Sequence, residues 1–233
     1  MMPNTRRAGV HTIEIVNTDA ITARAADVFA VAIQAAIELR GTCVLALSGG
    51  STPAAVFAEL ATRDLPWEHV VITQVDERVA PAGDPDRNLT GQQAAFEGLP
   101  VRWVPLRVEG SALGQTLHDL VEVAGDPLIV DVVHLGLGSD GHTASLVPGD
   151  AVLDVTDKEI ALTDDYQGRQ RMTFTRPSLD RARLVVWLVV GADKANALAA
   201  LARNDLSIPA SLLELSNSLI LADTAAAAAL DGL

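Results

Sequence analysis

IVDVVHLGLGSDGHTASLVPG, residues 129–149, sets a continuous apolar run against a glycine-rich loop. IVDVVHL has the length and β-branched content of a strand buried on both faces, which points to a parallel sheet covered by helices. Gly136, Gly138 and Gly141 satisfy the G-x-G-x-x-G pattern of dinucleotide-binding loops. That fingerprint needs its third glycine inside a helix that continues. Here His142 follows Gly141, and Pro148-Gly149 stops any such helix within two turns. The fingerprint's usual place, the first βαβ unit, holds SGGSTP instead. The loop therefore reads as a catalytic loop that only resembles a cofactor cradle.

Working outward, the same alternation of buried strand and helix recurs along the chain. TIEIV (12–16), CVLAL (43–47), HVVITQVD (69–76), RLVVWLVVG (183–191) and NSLILAD (217–223) read as strands, and WVPL (103–106) as extended. Residues 20–40, PAAVFAELA, 89–97, 110–124, DKANALAALA and the terminal TAAAAAL read as helices, with Pro53 suited to a first turn. EIALT (159–163) and RMTFT (171–175) alternate as a hairpin does. The expected fold is α/β, an open and mainly parallel sheet with helices on both faces and a small β-hairpin region, in one domain over 1–233. No internal repeat or linker interrupts it.

The composition narrows the function. The chain has 49% hydrophobic residues but only 3% aromatics, so Ala, Val and Leu must fill the core. Seventeen basic and thirty acidic residues leave a formal charge of −13, which argues against nucleic acid or an anionic membrane as partner. The lysines are Lys158 and Lys194 alone, so an anionic ligand needs a local gathering of arginine, lysine and backbone N–H groups. Cys43, the single cysteine, lies in an apolar run and reads as a buried, inert thiol. Arg6 and Arg7 precede no apolar segment, and LVVWLVV is too short to span a bilayer, so a soluble cytoplasmic protein is expected.

In open α/β sheets ligands bind beyond the carboxyl ends of the strands, and polar, glycine-rich sequence gathers there in this chain. Ser48-Gly49-Gly50-Ser51-Thr52-Pro53 is either a simple N-cap turn or an anion site built on a helix N-terminus. Asp76-Glu77-Arg78 is either a solvated ion cluster or a carboxylate and a guanidinium facing the cleft. His142 changes charge near neutral pH, and Asp140 is close enough in sequence to orient it, so it is the candidate general base. Asp76 or Glu77 stands next in line for that role. His134, inside the strand, reads as a core or edge histidine, and Arg87, Arg102 and Arg107 as surface residues. No spacing of His, Cys, Asp or Glu suggests a metal site.

Together LSGGSTP, VDERVAP with the later RNLT, GLGSDGHTASLVPG, RMTFT and GADKA resemble the 6-phosphogluconolactonases, over residues 47–195. The resemblance implies hydrolysis of 6-phospho-D-glucono-1,5-lactone without metal or cofactor. It also implies the fold shared with glucosamine-6-phosphate deaminases and ribose-5-phosphate isomerases. It makes His142 the base that activates water, and sets the SGGSTP loop, Asp76, Arg78, Arg171 and Lys194 around the phosphosugar. Two positions depart from the pattern: Val147 replaces a usual Phe, and Asp180 in SLDRA a common Asn. An aminosugar-phosphate deaminase/isomerase resembles the same SGGSTP and DGH segments but carries Asn-Glu before Pro-Gly. Leu146 and Val147 stand there instead, neither able to move a proton. A sugar-phosphate-sensing regulator is a third reading, disfavoured because no helix-turn-helix fits before residue 20.

Overall fold

Apolar runs of Val, Ile and Leu become strands whose two faces are both covered, and the computed structural model describes residues 4–8, 11–109, 113–214 and 217–230. In chain order the elements begin with β1 (Asn4–Ala8), β2 (His11–Val16), α1 (Ile21–Arg40), β3 (Cys43–Leu47) and α2 (Ser51–Leu60). Then come β4 (Val70–Gln74), β5 (Asp76–Arg78), α3 (Asn88–Ala95), β6 (Arg102–Trp103), α4 (Leu113–Ala124) and β7 (Val132–Gly136). The last are β8 (Ile160–Leu162), β9 (Arg171–Phe174), α5 (Arg176–Asp180), β10 (Leu184–Val189), α6 (Ala195–Ala202) and β11 (Ser218–Asp223).

The main sheet has the order β1-β2-β11-β10-β7-β3-β4-β6. Every pairing from β2 to β6 is parallel, and β1 lies antiparallel on the edge. Strand pleating sends alternate residues to opposite faces. Cys43, Leu45 and Leu47 of β3 meet Phe29 and Ile33 of α1 and Val56 and Phe57 of α2. Val44 and Ala46 join Leu120 of α4, Leu198 and Leu201 of α6 and Phe174 of β9 on the other face. Each large side chain so buried contributes about 1.5–3 kcal/mol relative to exposure.

From β3 the chain steps outward to β4 and β6, then returns to β7 on the opposite flank of β3 and continues through β10 to β11. The order therefore reverses between β3 and β7, and the crevice at such a switch point is where α/β sheets hold ligands. The loop after β3 is SGGSTP and the loop after β7 is GLGSDGH. Cys43 is fully buried, and burial pushes its thiol up to about 12, as an inert core residue requires.

Several expectations are corrected. The strand read over 69–76 ends at Gln74, and Asp76–Arg78 turns away as β5 into a second sheet of order β5-β9-β8. The hairpin of β8 and β9 is present, but β5 makes it three-stranded. Of the expected terminal helix only a short 3-10 turn, Ala226–Ala229, forms. Of WVPL, read as extended, only Trp103 lies in a strand, and α2 begins at Ser51 rather than at Pro53. Positions 110–112 of the helix read over 110–124 lie outside the described residues. Arg87, read as a surface residue, is buried against Glu77 and Glu109. Among the described residues no helix is long and apolar enough to cross a membrane.

Candidate active site

A cleft of about 270 Å³ opens over the carboxyl ends of β3 and β7. One wall is the turn Ser48–Pro53, where the chain leaves β3 and enters α2. Gly50, at the N-cap, has φ 119°, a conformation that suits glycine alone, and it has no side chain to cap the first turn. The helix therefore presents first-turn N–H groups and its positive end to the cleft. Gly49 is required for a different reason: a methyl on its Cα would stand 1.8 Å from Asn88 Oδ1.

Asn88 opens α3 and reaches back to β5. Its Nδ2 donates to the Asp76 carbonyl at 2.8 Å and to Asp76 Oδ1 at 3.2 Å. Asp76 is 4% exposed, and its other oxygen accepts from Ser145 Oγ at 2.6 Å. Glu77 lies wholly inside and accepts from the backbone N–H groups of Arg78, Asn88 and Leu89. Burial raises its carboxyl above the usual range against the pull of those N–H groups and Arg87. Glu77 braces the turn and does not line the cleft, which removes it as a candidate base.

The cationic side comes from the small sheet. Arg78 and Arg171 are directly opposed across β5 and β9, and both line the cleft. Among the described residues neither makes an ion pair. Arg78 donates to the Asp86 carbonyl at 2.6 Å, and Arg171 donates to Gln167 Oε1 at 3.2 Å while its guanidinium lies 4.9 Å from the Tyr166 ring centre. Burial lowers the Arg171 pKa, Asp76 opposes that shift, and Arg78 adds to it. Lys194, from the 3-10 turn after β10, completes this side and pairs with Asp193 at 3.0 Å.

The third wall is the loop after β7. Gly138 N–H donates to the His142 carbonyl at 2.8 Å, which folds the loop back on itself. His142 Nδ1 lies 2.6 Å from Asp140 Oδ1, and the same oxygen accepts from the His142 backbone N–H at 3.1 Å. Burial opposes ionisation of Asp140, but the bonds from His142 and the Tyr166 hydroxyl hold its carboxyl below the usual range. An ionised carboxylate only accepts, so in the neutral ring the proton sits on Nδ1 and Nε2 is the acceptor nitrogen. A methyl on Gly138 would stand 2.1 Å from His142 Nδ1 and 2.5 Å from Asp140 Oδ1, so this glycine makes the space the pair occupies. The arrangement offers a proton acceptor, an oriented carboxylate behind it, and, among the described residues, two guanidiniums without an ion-pair partner in one cleft.

A family model described as glucosamine-6-phosphate isomerases/6-phosphogluconolactonase matches residues 16–221. The chain belongs to this family. A curated relative from Nostoc sp., named 6-phosphogluconolactonase, is 34% identical over 236 residues, covering 94% of this chain and 98% of its own. The crystal structure of a 6-phosphogluconolactonase from Shewanella baltica is 25% identical with a TM-score of 0.80, over 91% of this chain and 97% of that one. A monomeric glucosamine-6-phosphate deaminase, 19% identical over 93% of this chain and 99% of its own, has a TM-score of 0.78. That likeness shows the fold alone, so the two family chemistries must be told apart at the site.

In this member of the family the cleft gathers Ser48, Gly49, Gly50, Ser51, Thr52 and Asp76 with Arg78, His142, Arg171 and Lys194. Asp140 stands behind His142. Leu146 and Val147 are buried apolar residues with no proton-moving group. Asp180 accepts from the Glu214 N–H at 2.8 Å, a bond that an Asn carbonyl would also make. Sequence reasoning missed Asn88 and Tyr166. Asn88 was visible within RNLT, whereas Tyr166 sits in DDYQGRQ, where no pattern marks it. Among the described residues no three His, Cys, Asp or Glu side chains gather as a metal site.

Proposed function

We propose that this chain hydrolyses 6-phospho-D-glucono-1,5-lactone to 6-phospho-D-gluconate. The observation that carries the reading is the His142–Asp140 pair facing two unpaired guanidiniums across one cleft. In a chain of formal charge −13 those arginines have one evident use, an anionic ligand. Arg78, Arg171, Lys194 and the first turn of α2 hold the phosphate. The lactone carbonyl then lies toward His142.

His142 Nε2 takes a proton from water as its oxygen bonds to the carbonyl carbon, and Asp140 stabilises the imidazolium that forms. The tetrahedral intermediate collapses, the bond from carbonyl carbon to ring oxygen breaks, and the imidazolium returns the proton to the departing oxygen. A lactone needs no covalent nucleophile, and donors at the cleft wall stabilise the transient oxyanion. The buried Leu146 and Val147 supply no proton-moving group, which disfavours aminosugar chemistry. A cytoplasmic location goes with this proposal, since the relatives matched along most of their length are bacterial and Cys43 is a lone buried thiol.

A pH-stat assay on freshly made lactone tests the proposal, because each turnover releases one acid and the spontaneous opening is subtracted. His142→Asn lowers kcat by about 10²–10⁴-fold, the usual worth of a general base. Its affinity for 6-phosphogluconate, read by calorimetry, stays near that of the unmodified chain. A near-normal kcat in that variant refutes the mechanism and moves attention to Asp76.

A further inference from the structure

Ser48 and His134 meet at the floor of the cleft, where β3 ends beside β7. Ser48 Oγ lies 2.6 Å from His134 Nδ1. His134 is 1% exposed, and the rings of Phe29 and Phe57 lie 5.8 and 5.4 Å from it in edge contacts. Burial holds its pKa down to about 3, so the imidazole is neutral at any working pH. A leucine would fill this position without the cost of burying two ring nitrogens. Among the described residues the imidazole's one hydrogen bond is to Ser48, and Nε2 has no partner.

A serine in contact with a histidine is also the geometry of a nucleophile and its base. Here the histidine is too weak a base, and no carboxylate backs its far nitrogen. The tautomer settles what the contact does instead. With the proton on Nε2, a buried N–H is orphaned; with the proton on Nδ1, only a lone pair is. Orphaned buried donors are the rarer and costlier case. Nδ1–H therefore donates to Ser48 Oγ, and the serine's own proton is free to turn toward the ligand.

We propose that His134 is a positioning residue, which donates to Ser48 Oγ and so presents the Ser48 hydroxyl to the cleft as a donor to an anionic oxygen of the ligand. This rests on the cleft being the site of a phosphorylated lactone, and the test separates the two claims. Long-range ¹⁵N–¹H spectra of the unmodified chain read the tautomer without substrate, and show the His134 proton on Nδ1. In the lactone assay His134→Leu lowers kcat/KM about tenfold, the loss of one bond to a charged oxygen. His134→Asn, whose amide nitrogen reaches the Nδ1 position, restores it to within about threefold. In a Ser48→Ala background His134→Leu has no further effect on kcat/KM, although its thermal midpoint still moves. A proton found on Nε2 overturns the proposal, as does a full His134→Leu effect in the Ser48→Ala background. Absence of lactonase activity in the unmodified chain overturns the functional reading, and the spectra still decide this one.

Discussion

Gly138→Ala is a sharp test of the proposed site because the added methyl group meets the His142–Asp140 pair first. Gly138 is not among the residues with positive φ, so its backbone accepts alanine without strain. The added Cβ would stand 2.1 Å from His142 Nδ1 and 2.4 Å from Cε1, where ordinary contact begins at 3.4 Å. The ring must therefore retreat by more than about 1 Å, and a misplacement of that size costs roughly 10²-fold in rate. The proposed phosphate-binding wall lies on other elements, so kcat falls about 100-fold while 6-phosphogluconate affinity changes by less than about threefold. Gly91→Ala is the control: it is exposed on α3, has nothing within 4 Å of its added methyl, and gains up to about 1 kcal/mol of helix stability. The pH-stat assay reads rate, calorimetry reads affinity, and thermal melting confirms the fold. A folded Gly138→Ala chain with unchanged kcat would refute the assignment of the His142–Asp140 pair.

Two more outcomes are expected from the same geometry. Arg171→Lys keeps the charge but loses the planar fork and the contact with Tyr166, so KM and the 6-phosphogluconate Kd both rise about tenfold; unchanged values by calorimetry remove Arg171 from the phosphate site. His134 links stability to acid. Its folded pKa, about 3, lies below the ordinary value near 6.5, so the unfolded chain binds a proton the native chain refuses, and the stability present above 6.5 is lost as pH falls toward 3. From pH 7.5 to pH 5 this removes about 2 kcal/mol, a share of the loss absent from His134→Leu in paired urea titrations. Equal pH dependence in the two chains contradicts it.

The central strands were legible because burial on both faces writes an uninterrupted apolar run, as in CVLAL and IVDVVHL. The loop after β7 was legible because its glycines and Pro148 leave no room for a long helix after such a run. Elements with weaker apolar signatures were not. β1 is NTRRA, an edge strand without apolar alternation. β5 is Asp-Glu-Arg, whose charges look like a strand end meeting water. Glu77 is nevertheless fully buried, since three backbone N–H groups replace its hydration. Arg87 accompanies Glu77 inside to balance its charge. The contact of Ser48 with His134 joins positions 86 residues apart, and no local pattern encodes it.

Arg78 and Arg171 face each other across β5 and β9, and directly opposed like charges weaken a sheet. Among the described residues neither arginine has an ion-paired partner, and the attraction of Asp76 for Arg171 offsets their mutual repulsion in the free protein. If the cleft holds a phosphorylated ligand as proposed, a bound dianion draws on both guanidiniums, so occupancy tightens the small sheet as well as filling the cleft, and the melting temperature rises with ligand concentration. Replacing Arg78 by an uncharged strand former would remove the repulsion, for a firmer sheet and a poorer binder. At this pair of residues, durability and affinity draw on the same two charges in opposite directions.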